Sequence, residues 1–260
     1  MIESMSNGQI KKIQKLKKSA RFRRQEKMFI AEGIKMVEEA ARYDKILAVY
    51  VSENIREEYL SRLSHKIREA LIEWVSVPVF REISDTATPQ GILALVEMPE
   101  YDRQSLVREE GAAFVCLEDI QDPGNLGTIM RTAEGAGMTA VVLSKGCVDL
   151  FNPKVVRATM GAMYRVPFYI TEDMTTEVEK LQKEGFSMYA ARLDASRDYA
   201  DCSYDGKVGL LIGNEANGLR PETSEGADQG IRIPMEGELE SLNAAVSAAL
   251  LMYEVHRRRH

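Results

Sequence analysis

Residues 121–137 read QDPGNLGTIMRTAEGAG and lie between two apolar runs. Gly124, Gly127, Gly135 and Gly137 give the stretch the look of a phosphate-cradling loop. Their spacing matches neither G-x-G-x-x-G nor the P-loop pattern. Leu126, Ile129, Met130, Ala133 and Gly137 recur at helical spacing, so a helix follows, and Asn125 is a candidate side-chain cap for it. Arg131 falls on another face, one turn beyond Gly127, whose missing side chain leaves space beneath the guanidinium. A cation near the positive end of a helix runs against the helix dipole, which points to an anionic ligand beside Arg131.

Outward from this stretch the second half alternates regularly. AAFVCLE, TAVVLS, VPFYI, FSMYAA, VGLLIG and IRIPM read as strands. Helices are expected at 126–135, 153–163, 175–184 and about 241–255. Apolar strands alternating with helices predict an α/β fold with a mostly parallel sheet covered on both faces. Ligands of such sheets bind beyond the carboxyl ends of the strands.

The first hundred residues predict a smaller α/β unit. SNGQIKKIQKLKKSA reads as one helix with Ile10, Ile13 and Leu16 on a stripe. MFIAEG, KILAVYVS, IEWVSVP and GILALVEM read as strands, and IKMVEEAARY and REEYLSRLSHKIREA as helices. The polar stretch PEYDRQSLVREEG holds no strong β run and marks the boundary, giving domains 1–105 and 106–260.

Composition bounds the class. With 45% apolar and 28% charged residues the chain is globular, and no apolar run approaches membrane-spanning length. Three widely spaced cysteines, Cys116, Cys147 and Cys202, suit reduced cytoplasmic thiols and form no zinc-type pattern, so neither a metal nor a membrane partner is expected. The net charge of −6 hides an asymmetry. Residues 1–27 carry nine Lys or Arg against Glu3 and Glu26, which makes that segment +7 and the remainder −13. Lys11, Lys12, Lys15, Lys18, Arg21, Arg23 and Arg24 are the candidate contacts to a polyanion such as RNA; the competing reading is a solvated helix face. The terminal YEVHRRRH reads as a helix end complementing its dipole.

Two more strand ends carry candidate chemistry. In LLIGNEANGL, Gly213 and Gly218 bracket Asn214, Glu215 and Asn217, and a glycine directly after a strand suggests close approach of a ligand. In IRIPMEGELESLNAAVSAALLMYEV a strand ends at Pro234, Ser241 can cap an Ala-rich helix, and Asn243 can face a ligand from its first turn. Surface turn and simple cap are the alternatives in each case.

Taken in this order, GNLGTIMRTAEGAG, LLIGNEANGL and IRIPMEGELESLNAAVSAAL resemble the three motifs of the SpoU (TrmH-type) branch of the SPOUT RNA methyltransferases, over residues 112–257. NPKVVRATMGAMYRVPF matches the stretch after the first motif. RRQEKMFIAEGIKMVEEA and TPQGILALVEMP resemble the substrate-binding domain often fused ahead of it, which is similar to ribosomal proteins that bind kinked RNA. The resemblance implies a C-terminal trefoil knot, S-adenosylmethionine as cofactor, a homodimer, and transfer of a methyl group to a ribose 2′-hydroxyl, in 23S rRNA first, with tRNA as the alternative. It assigns catalytic roles to Asn125, Arg131, Glu215, Ser241 and Asn243. It assigns the cofactor to Leu211, Gly213, Asn214, Ile233, Met235 and Leu242. Thr159 and Ala244 depart from the family's usual serine and valine. A nucleotide-dependent oxidoreductase is disfavoured by the glycine spacing. A non-enzymatic RNA-binding protein would have lost motif residues, and all are present.

Overall fold

The computed structural model describes the 260-residue chain apart from residues 44, 62–66, 68–71 and 239. It divides into two compact units. One comprises Met1–Pro99 together with Asp149–Tyr164; the other comprises Glu100–Val148 and Arg165–His260.

The first unit is built on a four-stranded sheet in the order β1 (Met28–Glu32), β4 (Ile92–Glu97), β2 (Ile46–Ser52), β3 (Ile72–Val75). The β2–β3 pair is parallel, and β4 pairs antiparallel with β1 and β2. The basic N-terminal run forms two helices, not one. α1 (Gly8–Lys18) stops at Ser19, whose Oγ accepts from the Phe22 N–H at 3.1 Å and caps α2 (Ala20–Glu26). Ile10, Ile13 and Leu16 of α1 are fully buried, each contributing roughly 1.5–3 kcal/mol of hydrophobic stabilisation. α3 (Ile34–Arg42) starts at Gly33, where φ is +95°, and the Gln90 side chain accepts its Ile34 N–H at 2.9 Å. Of the predicted helix across 56–70, α4 (Glu57–Ser61) is observed, and most of the remainder lies outside the described residues. The IEWVSVP strand ends at Val75, and Pro78 opens α5 (Val77–Ile83), a first-turn position where a proline loses nothing.

The segment Asp149–Tyr164 belongs to this first unit. α8 (Pro153–Ala158) packs beside β1. It ends short of the predicted 163 because Met160 and Gly161 both take positive φ. Ion pairs tie the segment in. Arg23, only 3% exposed, donates from Nε to Asp149 Oδ2 at 2.7 Å, with Nη2 on the same oxygen and Nη1 on the Leu16 carbonyl. Arg157 Nη2 donates to Asp85 Oδ2 at 2.8 Å.

The second unit is a seven-stranded, fully parallel sheet in the order β7 (Phe168–Thr171), β6 (Ala140–Ser144), β5 (Ala113–Leu117), β10 (Lys207–Ile212), β8 (Phe186–Ala191), β11 (Gln229–Arg232), β9 (Arg197–Asp198). On one face α6 (Arg103–Arg108) and α9 (Met174–Lys183) bury Leu106, Met174, Val178 and Leu181 against Phe114, Cys116, Val142, Met188 and Leu211. α6 forms within the polar stretch because Asp102 accepts from the N–H groups of Gln104 and Ser105. α7 (Pro123–Gly135) packs against α11 (Ala244–Arg259), which also contacts β5 and β10. The short α10 (Pro221–Glu225) leads into β11. β11 stops at Arg232, not at Met235; Pro234 has no N–H to continue the ladder.

Arg23 and Asp149 test whether the buried pair, and not surface charge, holds the first unit. Asp149→Ala leaves a buried guanidinium without its partner and is expected to cost about 3–5 kcal/mol in urea unfolding. Lys18→Ala, on the exposed face, is expected to stay within about 0.5 kcal/mol of the parent.

Candidate functional site

Three loops of the second unit meet beyond the carboxyl ends of β5, β10 and β11. The first begins α7, and its cap is Asp122, not Asn125: Asp122 Oδ1 accepts the Asn125 N–H at 2.8 Å. That frees the Asn125 side chain. Its Nδ2 donates to Glu215 Oε1 at 2.9 Å, and its Oδ1 accepts from Asn243 Nδ2 at 2.9 Å. Asn243 Oδ1 in turn accepts from the N–H groups of Ala245 and Val246 at 2.9 and 3.3 Å, so Asn243, not Ser241, caps α11. The chain of bonds is self-consistent. A carboxylate only accepts, which turns the Asn125 amide one way and thereby sets the Asn243 amide.

Glu215 also faces the N–H groups of Gln121 and Asp122, each at 3.4 Å. Burial alone would raise its pKa, but the bond from Asn125 and the backbone N–H groups outweigh it and hold the carboxyl below the usual range. Glu215 is therefore an ionised strut across the start of α7.

The loop after β10 owes its shape to Asn214. Its Oδ1 accepts from the N–H groups of Ala216 and Asn217 at 2.9 and 3.1 Å, and its backbone pairs with Gly218 in both directions at 2.9 Å. Gly213 is required by the loop itself: a Cβ there would lie 2.1 Å from Gly218 C and Leu219 N. Close approach at Gly213 is thus made by backbone of the same loop. Gly218, at φ +69°, makes the return.

Beside this loop lies a pocket of about 550 Å³, within the range of small-molecule sites. Gly213, Asn214, Ile233, Met235 and Leu242 line it, as do Glu215 and Ser241. Leu211 does not; it is fully buried in the core under α6 and α9. Strand residues alternate in direction, and its neighbour Ile212 lines the pocket instead. Ala244, at the start of α11, also lines it, as do Leu219 and Ile231, which carried no sequence signal beyond being apolar near strand ends.

Arg131 is brought to none of these groups. It is exposed on α7, does not line the pocket, and its side chain makes no hydrogen bond or ion pair among the described residues. Gly127, expected beneath it, is buried with Leu126 and Met130 on the inner face. In the first unit Lys11, Lys15, Lys18, Arg21 and Arg24 are exposed. Lys12 is paired with Glu26 at 2.7 Å, and Arg23 is spent on Asp149. Arg23 is thus a fold residue and is not available to a polyanion. Among the described residues no cluster could hold a metal ion, and no helix is long and apolar enough to cross a membrane.

The Glu215 strut gives a pH test. Its folded-state pKa lies below its unfolded value, so its contribution is present at neutral pH and is lost as pH falls through the folded value. Asn125→Ala removes the side-chain donor. Carboxyl-carbon NMR of Glu215 is expected to titrate at higher pH in that variant than in the parent; an unchanged midpoint would show that the backbone N–H groups suffice.

Residues 112–253 match the SpoU rRNA Methylase family, and residues 7–94 match the MRM3-like substrate binding domain. The chain is 32% identical over 255 residues, 98% of each chain, to the 23S rRNA (guanosine(2553)-2'-O)-methyltransferase RlmP of Bacillus subtilis. Among solved structures it is similar to the AdoMet-bound rRNA methyltransferase of Sinorhizobium meliloti, with a TM-score of 0.87 and 30% identity over 98% of this chain and 97% of that one. It is similar also to an RNA 2'-O ribose methyltransferase, with a TM-score of 0.84 and 30% identity over 99% and 98% of the two chains. With the three loops at the strand ends and both domain matches in sequence order, the chain belongs to the SpoU rRNA methylase family.

Proposed function

We propose that this protein is an S-adenosylmethionine-dependent RNA methyltransferase that methylates a ribose 2′-hydroxyl in 23S rRNA in the cytoplasm. The observation that carries this reading is the hydrogen-bonded chain Glu215–Asn125–Asn243 set beside the 550 Å³ pocket. The pocket suits the cofactor. Ile212, Leu219, Ile233, Met235 and Leu242 offer apolar walls for an adenine ring, and the Asn214–Gly218 turn, closed on itself, borders them. The loop 213–220 and the segment that leaves β11 are read as the threads of a trefoil knot. The first unit is read as the RNA-binding domain, with Lys11, Lys15, Lys18, Arg21 and Arg24 as its phosphate contacts.

Bound there, S-adenosylmethionine supplies a methyl group on a positively charged sulfur. A ribose hydroxyl is a poor nucleophile, so the protein must align it and stabilise the oxygen as its proton leaves. Asn125 and Asn243, their amides already oriented, are placed to position the ribose. Glu215, held ionised, locks Asn125, and Ser241 reaches the pocket beside it. A guanidinium is a donor with no acceptor to offer, so Arg131 is read as acting on the phosphate next to the target and on the developing alkoxide, not as a base. The proton leaves to that phosphate or to water.

Arg131 lies outside the pocket of its own chain, which favours a homodimer in which Arg131 of a second copy completes the site. Val246, Leu250 and Tyr253 form an apolar stripe on α11 that is 48%, 38% and 50% exposed. A Cβ on Gly135 would lie 3.0 Å from the Tyr253 hydroxyl, so the stripe adjoins α7, the helix that carries Arg131. A second copy is the occupant that would both cover this stripe and supply the arginine.

Incubation with labelled S-adenosylmethionine and 23S rRNA fragments, followed by mass spectrometry, is expected to locate a 2′-O-methyl nucleotide; label on tRNA alone would overturn the rRNA assignment. Arg131→Lys keeps the charge and loses the planar fork, and is expected to lower kcat by about a hundredfold with cofactor affinity unchanged. Near-normal turnover would argue against bidentate phosphate binding. Replacing Lys11, Lys15 and Lys18 together by Gln is expected to flatten the dependence of log K for RNA on log salt by about 2–3, with the fold intact.

A further inference from the structure

Glu118 is the first residue beyond β5 and is 1% exposed. A carboxylate buried this deeply must be satisfied from within the protein. Both of its donors belong to the segment that follows the pocket loop. Oε2 accepts the Arg220 N–H at 2.7 Å, and Oε1 accepts the Thr223 hydroxyl at 2.6 Å. Thr223 is itself fully buried, and its oxygen lies 3.0 Å from the Thr175 hydroxyl of α9. α10 has no cap of its own, since the side chain of Arg220 makes no capping bond. Glu118 instead anchors its first turn from another strand, through the Arg220 N–H and the Thr223 hydroxyl.

The next residue holds the other end of the same loop. Asp119 takes a left-handed backbone at φ +56°. Its carbonyl accepts Asn214 Nδ2 at 2.8 Å, and its carboxylate binds Arg220 Nη2 and the Ser144 hydroxyl, each at 2.7 Å. Gly146 makes room for it, since a Cβ there would lie 1.9 Å from Asp119 Oδ1. Two consecutive residues of β5's end thus grip the loop where it leaves β10, at Asn214, and where it enters α10, at Arg220. Between those grips the chain carries Glu215, the partner of Asn125. Gly213, Leu219, Pro221 and Ser224 from the same stretch line the pocket, whereas Glu118 does not.

We propose that Glu118 is a positioning residue for cofactor binding: it acts through Arg220 and Thr223 to hold the Gly213–Leu219 loop and α10 in the shape that forms one wall of the pocket. The proposal rests on the reading of that pocket as the S-adenosylmethionine site. A purely structural role would stabilise the unit as a whole. Loss of a positioning residue weakens cofactor binding while leaving the RNA binding read for the first unit untouched.

Two near-isosteric variants of the full-length protein separate these. Glu118→Gln replaces one acceptor oxygen with an amide, and Thr223→Val removes one donor. In each, calorimetry is expected to show the dissociation constant for S-adenosylmethionine rising about tenfold, the loss of one buried charge-assisted hydrogen bond. RNA affinity is expected to stay within about twofold, well under the tenfold step that one lost bond produces. Amide hydrogen exchange from Asn214 to Leu219 is expected to quicken and to slow again with saturating cofactor. Thr223→Val serves if Glu118→Gln does not fold. Cofactor affinity unchanged in the folded variants overturns the proposal, as does a parallel fall in RNA affinity and in protection throughout the second unit. If the parent protein itself binds no S-adenosylmethionine, the cofactor reading fails separately. Loop exchange then still decides whether Glu118 shapes the wall, and unaltered exchange overturns that as well.

Discussion

The parallel pairing of β5 with β10 is the constraint on which the site depends. Val208 to Ile212 run alongside Ala113 to Leu117 in register, so two strands nearly a hundred residues apart in sequence end side by side. Every loop with chemistry then starts from the same edge of the sheet. Parallel strands expose no face to water, and their residues are accordingly buried almost without exception. That burial also explains why a glycine, Gly209, interrupts β10: a Cβ there would meet Met188 Sδ at 2.4 Å.

At that edge, polar groups solve one problem repeatedly, which is how to end a buried strand without stranding donors or charges. Glu118 and Asp119 close the end of β5 on the incoming α10. Glu215 settles over the start of α7, where N–H groups and the helix dipole welcome an anion. Asn243 caps α11 and passes its amide to Asn125. The loops are held by charge-assisted and capping bonds, and the apolar pocket wall is left free of that work. A chain so arranged orients two asparagine amides at once, which is what a reaction limited by alignment requires.

The first unit divides its basic residues between two uses. Arg23 lies among the lysines in sequence and is buried with Asp149 and the Leu16 carbonyl, so its charge serves the fold. Lys11, Lys15, Lys18, Arg21 and Arg24 remain outside. Helical periodicity separates the two sets in part: Ile10, Ile13 and Leu16 fix the inner stripe of α1, and the lysines fall between. The second helix carries no such apolar stripe to warn that Arg23 turns inward.

Much of the architecture was legible in the chain alone. Strand runs such as FSMYAA and AVVLS need no context, because apolar β-branched and aromatic residues between turn signals specify a buried strand. The three motif loops were legible too, as were Gly213, Asn214, Ile233, Met235 and Leu242 as residues that line one pocket. What periodicity cannot express is which acceptor wins when several compete. Asn125 and Ser241 were both reasonable caps, and Asp122 and Asn243 took those roles because long-range bonds to Glu215 and Asn125 settled the balance. Leu211 and Ile212 are equally apolar, and only the face of the strand decides which meets the pocket. The local sequence determined elements, their order and the chemistry available at their ends. Tertiary structure alone decided the partners, since a buried carboxylate such as Glu118 is satisfied by residues about a hundred positions away.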